Sequence, residues 1–312
     1  MTIKTVALIG ASGHLGSAIL HALVSAGQFE VTVVRRQSST YTPPPSLSSN
    51  PQVIAKTVDD DLSLESLKTA LAGQDAVVVS MRFSQPSHHH RIAEAALAVC
   101  ARRIIPADYG SCDSASRRAQ ELVPLYKHKA GVRRKLQELV ASAKPSGSPF
   151  SWTGFVCGHF FDWGLREGFL HFDLKTGAAD ILDGGKYRSS TATLARVAEA
   201  VVLVLERDED ERLKNKVLYI QSFCVSQLDV LASLERATGE KWNVRYLESG
   251  SFIEEHRIKA DAGDKEAVED LVFALGALDG NWEEREGFAM DLLGLENESL
   301  DDTVKRVVES QA

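Results

Sequence analysis

The chain has 312 residues, 44% of them hydrophobic, and its 35 lysines and arginines against 43 aspartates and glutamates give a formal charge of −8 at pH 7. That length and apolar content support one large or two medium domains with an ordinary core. The acidic balance argues against a protein built to hold a polyanion, which needs a basic domain or stripe, so no nucleic-acid partner is expected.

Three further features point to a cytoplasmic protein with no membrane partner. No apolar run approaches the roughly 20 residues that cross a bilayer. The strand-like run TVALIG begins within five residues of Met1, which leaves no room for a cleaved leader. Cys100, Cys112, Cys157 and Cys224 are widely spaced and form no CxxC pair, as suits a reducing compartment.

Taken in order, the first 160 residues alternate short β-branched runs with alanine-rich amphipathic stretches. TVALIG leads to SAILHALVSAG, and EVTVVRR to a break. DAVVVS leads to HHRIAEAALAVCA, RRIIPADYG to KHKAGVRRKLQELVASA, and FSWTGFVCG closes the series. Such alternation predicts βαβ units and a doubly wound parallel sheet, an α/β Rossmann fold with helices on both faces. The Ser/Pro-rich stretch Gln37–Asn50 reads as a mobile surface loop.

Beyond Gly158 the alternation weakens. AADILDGGKYRS reads as a hairpin, ATLARVAEAVVLVLE as a helix, LYIQSF as one more strand, and the acidic region from about Phe252 onward as helices. The expected plan is a nucleotide-binding domain over 1–157, with 191–222 returning to it. A smaller, discontinuous substrate-binding domain takes 158–190 and 223–312.

In GASGHLG, Gly10, Gly13 and Gly16 stand between a strand and a helix, with Ser12, His14 and Leu15 among them. That order lets backbone amides approach a pyrophosphate at a helix N-terminus, so these residues are expected to bind a dinucleotide. A carboxylate normally follows the second strand to hold the ribose 2′-OH of NAD, whereas a 2′-phosphate needs cations. Arg35 and Arg36 occupy that place, which favours NADP(H). Of the acidic run Asp59, Asp60 and Asp61, one residue could accept from the adenine amino group, with a solvated helix cap the favoured reading.

Ligands of doubly wound sheets lie beyond the carboxyl ends of the strands. This singles out Ser80, Met81 and Arg82 after DAVVV, with Ser80 expected beside the nicotinamide ribose, and Asp108 and Tyr109 after IIPA. His88, His89 and His90 are adjacent at a helix start and point in different directions, so no metal site is expected.

The basic segment YKHKAGVRRK resolves on a helical wheel. Val132, Leu136, Val140 and Ala143 share a stripe with Lys129, whereas Lys127, Arg134 and Glu138 fall on the far side. A lysine on an apolar stripe must snorkel out along its stem or reach a cavity, where burial can fit it for proton transfer. Arg133, one turn on, suits pairing with a carboxylate or the sheet end.

These motifs together resemble the NmrA-like, isoflavone-reductase-like branch of the atypical short-chain dehydrogenases across nearly the whole chain. The resemblance rests on GASGHLG, VVRR, GQDAVVVS, RRIIPADYG and KAGVRR. TGFVCGHFFDWGL, STATLARVAEAV and YIQSF look like its CipA-like oxidoreductase subgroup. The resemblance implies an NADPH-dependent reductase that transfers hydride to an activated C=C, C=O or C=N of a small aromatic or secondary-metabolite substrate. By motif match it implies that Lys129 contacts the nicotinamide ribose and assists proton transfer. Tyr126 precedes Lys129 by three positions, not four, so a tyrosine-based mechanism does not carry over, and Ala107-Asp108-Tyr109 departs from the Ser-Glu-Phe of plant-type relatives.

The substrate is expected over the nicotinamide, walled by the segment His159–Trp163, in which His159 and Asp162 are the polar members and Phe160, Phe161 and Trp163 equally suit a core. Two alternatives stay open. One is a redox-neutral biosynthetic enzyme that keeps NADP(H) as scaffold and uses Asp108, Tyr109, His159 or Asp162 as acids and bases. The other is an NADP(H)-sensing regulator. Substrate identity, reaction direction and oligomeric state are left open.

Overall fold

The computed structural model describes residues 2–48, 50–83 and 85–311; Ser49, inside the stretch read as a loop, lies outside them. Contacts divide the chain into two units. The first holds residues up to Asp108, then His128–Gly154 and Val197–Leu218. The second holds Tyr109–Lys127, Phe155–Arg196 and the chain from Tyr219 onward.

The first unit is built on β1 (Thr5–Ile9), β2 (Glu30–Arg36), β3 (Val53–Val58), β4 (Ala76–Val79), β5 (Arg103–Ile105) and β6 (Ser151–Val156), with Lys216–Tyr219 as the last strand. The spatial order is Lys216–Tyr219, β6, β5, β4, β1, β2, β3. Every pair from β3 across to β6 is parallel, with Ala7 set between Thr32 and Val77. β1 and β4 are fully or nearly fully buried, as strands covered by helices on both faces must be.

The chain leaves β1 toward β2 and β3, then crosses back to β4, β5 and β6. The carboxyl ends of β1 and β4 therefore flank the switch point where doubly wound sheets bind ligands. The helices His14–Ser25, Pro86–Ala98, Pro124–Ala143 and Leu194–Glu206 occupy the stretches read as helical. Within the stretch read as a loop, Pro45–Ser48 forms a helical turn, and Ser38 and Tyr41 make the hydrogen bonds described below.

The second unit corrects two readings. AADILDGGKYRS is not a hairpin. Ala178–Leu182 pairs with Phe172–Asp173 and with Asn243–Leu247, while Arg188–Thr191 pairs with Phe223–Ser226. The run of Asp183, Gly184 and Gly185, all at positive φ, turns the chain out of one sheet instead of folding it back on itself. LYIQSF likewise divides: one strand stops at Tyr219 and the next starts at Phe223, in a different sheet. The acidic C-terminal region is helical at Ser249–Asp261, Lys265–Asp279, Met290–Leu293 and Leu300–Glu309. No described helix is long and apolar enough to cross a membrane.

Candidate active site

Each glycine of the loop after β1 has its own physical reason. Gly10 adopts φ +96°, and a methyl group there would come within 2.7 Å of the Met81 backbone nitrogen, because the end of β4 runs directly against it. Gly13 caps the helix His14–Ser25 with no side chain to satisfy the first-turn amides, and its own N–H donates to the Gly10 carbonyl at 3.2 Å. Gly16 leaves room for the Ser80 hydroxyl, which a Cβ would meet at 2.7 Å and which donates to the Gly10 carbonyl at 3.2 Å. Bare amides at a helix N-terminus, approachable because no side chain intervenes, form an anion cradle.

This cradle opens into a cleft of about 730 Å³. Gly10, Ser12, Gly13, Arg35, Arg36, Ser80 and Met81 all line it, so most of the expected cofactor residues come together. The other four do not line it: His14 is exposed at the helix start, Leu15 and Gly16 are buried, and Lys129 lies on the helix Pro124–Ala143.

Sequence reasoning missed Ser38, Ser39, Thr40 and Tyr41, which also line the cleft. The signal available was a run of hydroxyl residues directly after an arginine pair, which composition alone had marked as loop. Arg35 Nη1 donates to the Tyr41 carbonyl at 2.6 Å. Asp60 accepts from the Ser38 hydroxyl at 2.6 Å and from its backbone N–H at 3.0 Å, and these bonds hold the Asp60 carboxyl below its usual range. Asp59 serves the next helix instead, accepting from the backbone and hydroxyl of Ser63, the N-cap of Leu64–Leu71.

Lys129 lies on the inward stripe, 8% exposed, with Val132 and Leu136 buried beside it and Lys127, Arg134 and Glu138 in solvent. Its Nζ donates to the backbone carbonyl of Asp108, and Arg133 Nε, one turn on, donates to the Asp108 carboxylate. The helix thus grips the end of β5 twice. Asp108 itself is 2% exposed, and its second carboxylate oxygen, Oδ1, has no hydrogen-bond partner among the described residues.

His89 is buried nearby, stacked on Phe83 at 3.8 Å, with Nε2 donating to the Arg82 carbonyl. Burial, and to a smaller extent the Lys129 charge, lowers its pKa to about 4, so the imidazole is neutral at pH 7. His88 is buried and His90 half-buried on the same helix, and no cluster able to hold a metal ion occurs among the described residues.

The remaining residues singled out from sequence lie in the second unit. Tyr109 is 7% exposed and stacks parallel to Phe155 at 6.2 Å. His159 is interior, its Nε2 donating to the Val272 carbonyl and its ring against Phe169 and Phe273; burial lowers its pKa to about 4. Asp162 accepts from the Leu194 backbone N–H at 3.0 Å, capping a helix. His159 and Asp162 are thereby engaged in packing and capping. Phe161 is core.

A cleft of about 290 Å³ in this unit escaped the sequence reading. It is lined by Cys112, Asp113, Ser116, Leu275, Asp279 and Arg285. The Arg285 guanidinium lies 5.2 Å from the Trp282 ring centre, and the Tyr219 hydroxyl donates to Asp113 at 2.7 Å.

Comparison with known proteins agrees with this architecture. Oxidoreductase poxI of Penicillium oxalicum is 31% identical over 309 residues, covering 96% of this chain and 92% of its own. A crystal structure of isoflavone reductase superposes with a TM-score of 0.74 at 16% identity, covering 98% of this chain and 99% of that one. The binary complex of leucoanthocyanidin reductase with NADPH from Vitis vinifera does so with a TM-score of 0.76 at 13% identity, covering 98% and 100%. At such identities these two structures share the fold. The model of the NmrA-like family matches residues 2–277, and with a full-length relative named an oxidoreductase beside it, the chain belongs to the NmrA-like family.

Proposed function

We propose that the chain is an NADP(H)-dependent reductase acting on an activated C=C, C=O or C=N of a small aromatic or secondary-metabolite molecule. The observation that carries this reading is the cleft after β1, where a glycine cradle for a pyrophosphate faces Arg35 and Arg36 instead of a carboxylate. The residues present fit the cofactor. Gly10 admits nothing larger than hydrogen against Met81, and the Tyr41 hydroxyl, on a residue lining the cleft, has no hydrogen-bond partner among the described residues. NADPH bound there would supply a hydride.

The chain's own residues would do the rest. Amides of the first helical turn bind the pyrophosphate, and Arg36 binds a 2′-phosphate. Lys129 is oriented by the Asp108 carbonyl and holds a proton at Nζ for transfer to the reduced substrate. Asp108, ion-paired to Arg133, acts as the positioning residue for Lys129.

The test is NADPH oxidation by the purified protein across a panel of enones, quinones, ketones, aldehydes and imines. Turnover with at least one class is expected, and Lys129→Ala should lower kcat by about 10²-fold or more while NADPH affinity changes a few-fold. Binding of NADPH with no oxidation across the panel would overturn the reductase reading, and product formation without NADPH consumption would replace it with the redox-neutral one.

A further inference from the structure

The segment after the arginine pair is held by its own hydrogen bonds. Ser39 N–H closes a turn onto the Arg36 carbonyl at 3.0 Å, Tyr41 N–H donates to the Ser39 hydroxyl at 3.3 Å, and Arg35 fixes the Tyr41 carbonyl. One bond set is long-range: both Ser38 donors converge on a single oxygen of Asp60, 22 residues away at the end of β3. Asp60 does not line the cleft, whereas Ser38, Ser39, Thr40 and Arg36 do. The Arg36 charge reaches Asp60 and helps keep its carboxyl ionised.

A second observation points to a ligand at the same place. The Tyr41 hydroxyl is buried and has no hydrogen-bond partner among the described residues, and burial raises its pKa. A buried donor left unsatisfied is costly, and an acceptor-rich ligand entering the cleft would meet it.

We infer that Asp60 is a positioning residue for recognition of a ribose 2′-phosphomonoester: by holding Ser38 through one carboxylate oxygen it fixes the turn that presents Ser39 and Thr40 beside Arg36. This rests on the reading of the cleft as an NADP(H) site. The geometry matters because a phosphate dianion bound by hydroxyls and one guanidinium gains most when the donors are already aimed, so that binding does not have to order the loop. Asp60 carries a charge of the same sign as the ligand. Its benefit must therefore come through Ser38 and not from direct attraction.

That opposition makes the inference testable with two cofactor fragments, adenosine 2′,5′-bisphosphate and adenosine 5′-monophosphate, titrated calorimetrically into the full chain. Wild-type protein is expected to prefer the bisphosphate by at least about ten-fold. If it shows no preference, the NADP(H) reading fails and the inference falls with it. Given the preference, Asp60→Ala should weaken the bisphosphate about five- to ten-fold, with monophosphate binding within about two-fold of wild type.

Asp60→Asn should restore most of the loss, because an amide oxygen in the same place accepts both Ser38 bonds while removing the negative charge. Ser38→Ala, which keeps the backbone bond, should fall between. Equal losses for both fragments would overturn the inference, as would no loss, or a tighter bisphosphate in Asp60→Ala. The last result would make Asp60 a repelling charge and not a latch.

Discussion

Replacing Arg133 by methionine tests how the end of β5 is held. The substitution keeps the length and apolar stem of the side chain and deletes the guanidinium that pairs with Asp108. Asp108 is 2% exposed, and its Oδ1 already lacks a hydrogen-bond partner among the described residues, so the carboxylate has no route to water. Breaking a buried pair by removing one partner costs about 3–5 kcal/mol. The Lys129 ammonium on the Asp108 carbonyl offsets part of this, which places the expected loss near about 3 kcal/mol.

For a chain of 312 residues that is a fall in Tm of about 4–5 °C, measured by calorimetry at pH 7. Asp108→Asn added to Arg133→Met should recover at least half of the loss, since the orphaned charge is then gone. A loss below about 1 kcal/mol, or a double variant whose cost is the plain sum of the single ones, would refute the reasoning.

Acid should weaken the fold through His89 and His159, whose pKa values burial lowers from 6.5 to about 4. The folded values lie below the unfolded ones, so below pH 6.5 the unfolded chain binds protons that the folded chain refuses. The penalty is absent above pH 6.5, grows as pH falls, and reaches about 3 kcal/mol per histidine near pH 4. Urea midpoints at pH 7 and pH 5 should differ clearly in wild type and less in His159→Phe; an equal difference in both would count against His159 as a source. Gly10→Ala, which forces a methyl group to within 2.7 Å of the Met81 nitrogen, should lower NADPH affinity at least about ten-fold by fluorescence titration. Unchanged affinity would remove this cleft as the cofactor site.

What the sequence made legible was whatever is local. The Rossmann strands and helices announce themselves through periodicity and through a glycine turn whose three members lie within seven residues. The inward face of Pro124–Ala143 follows from helical spacing alone, and that spacing separates Lys129 from its charged neighbours. The hairpin reading failed because strand pairing is not local: Ala178–Leu182 finds its parallel partner at Asn243–Leu247, and nothing within the segment encodes that choice.

Side-chain placements follow the same rule. Asp162 and His159 stood in an aromatic, polar segment that resembled a pocket wall, yet each is claimed by a backbone group far along the chain, at Leu194 and at Val272. Asp60 is the converse case: in sequence it is one of three adjacent aspartates with no distinguishing feature, and only the fold brings it to Ser38. Arg133 lies between these cases. Its position one turn after Lys129 made a carboxylate partner at the sheet end a reasonable expectation, because helix spacing is local, but which carboxylate depended on where β5 ends. Candidate residues are therefore most legible when helix geometry fixes the face and the strand order fixes the end. When a donor can be satisfied by any distant backbone group, chemistry-bearing residue types carry little information about chemistry.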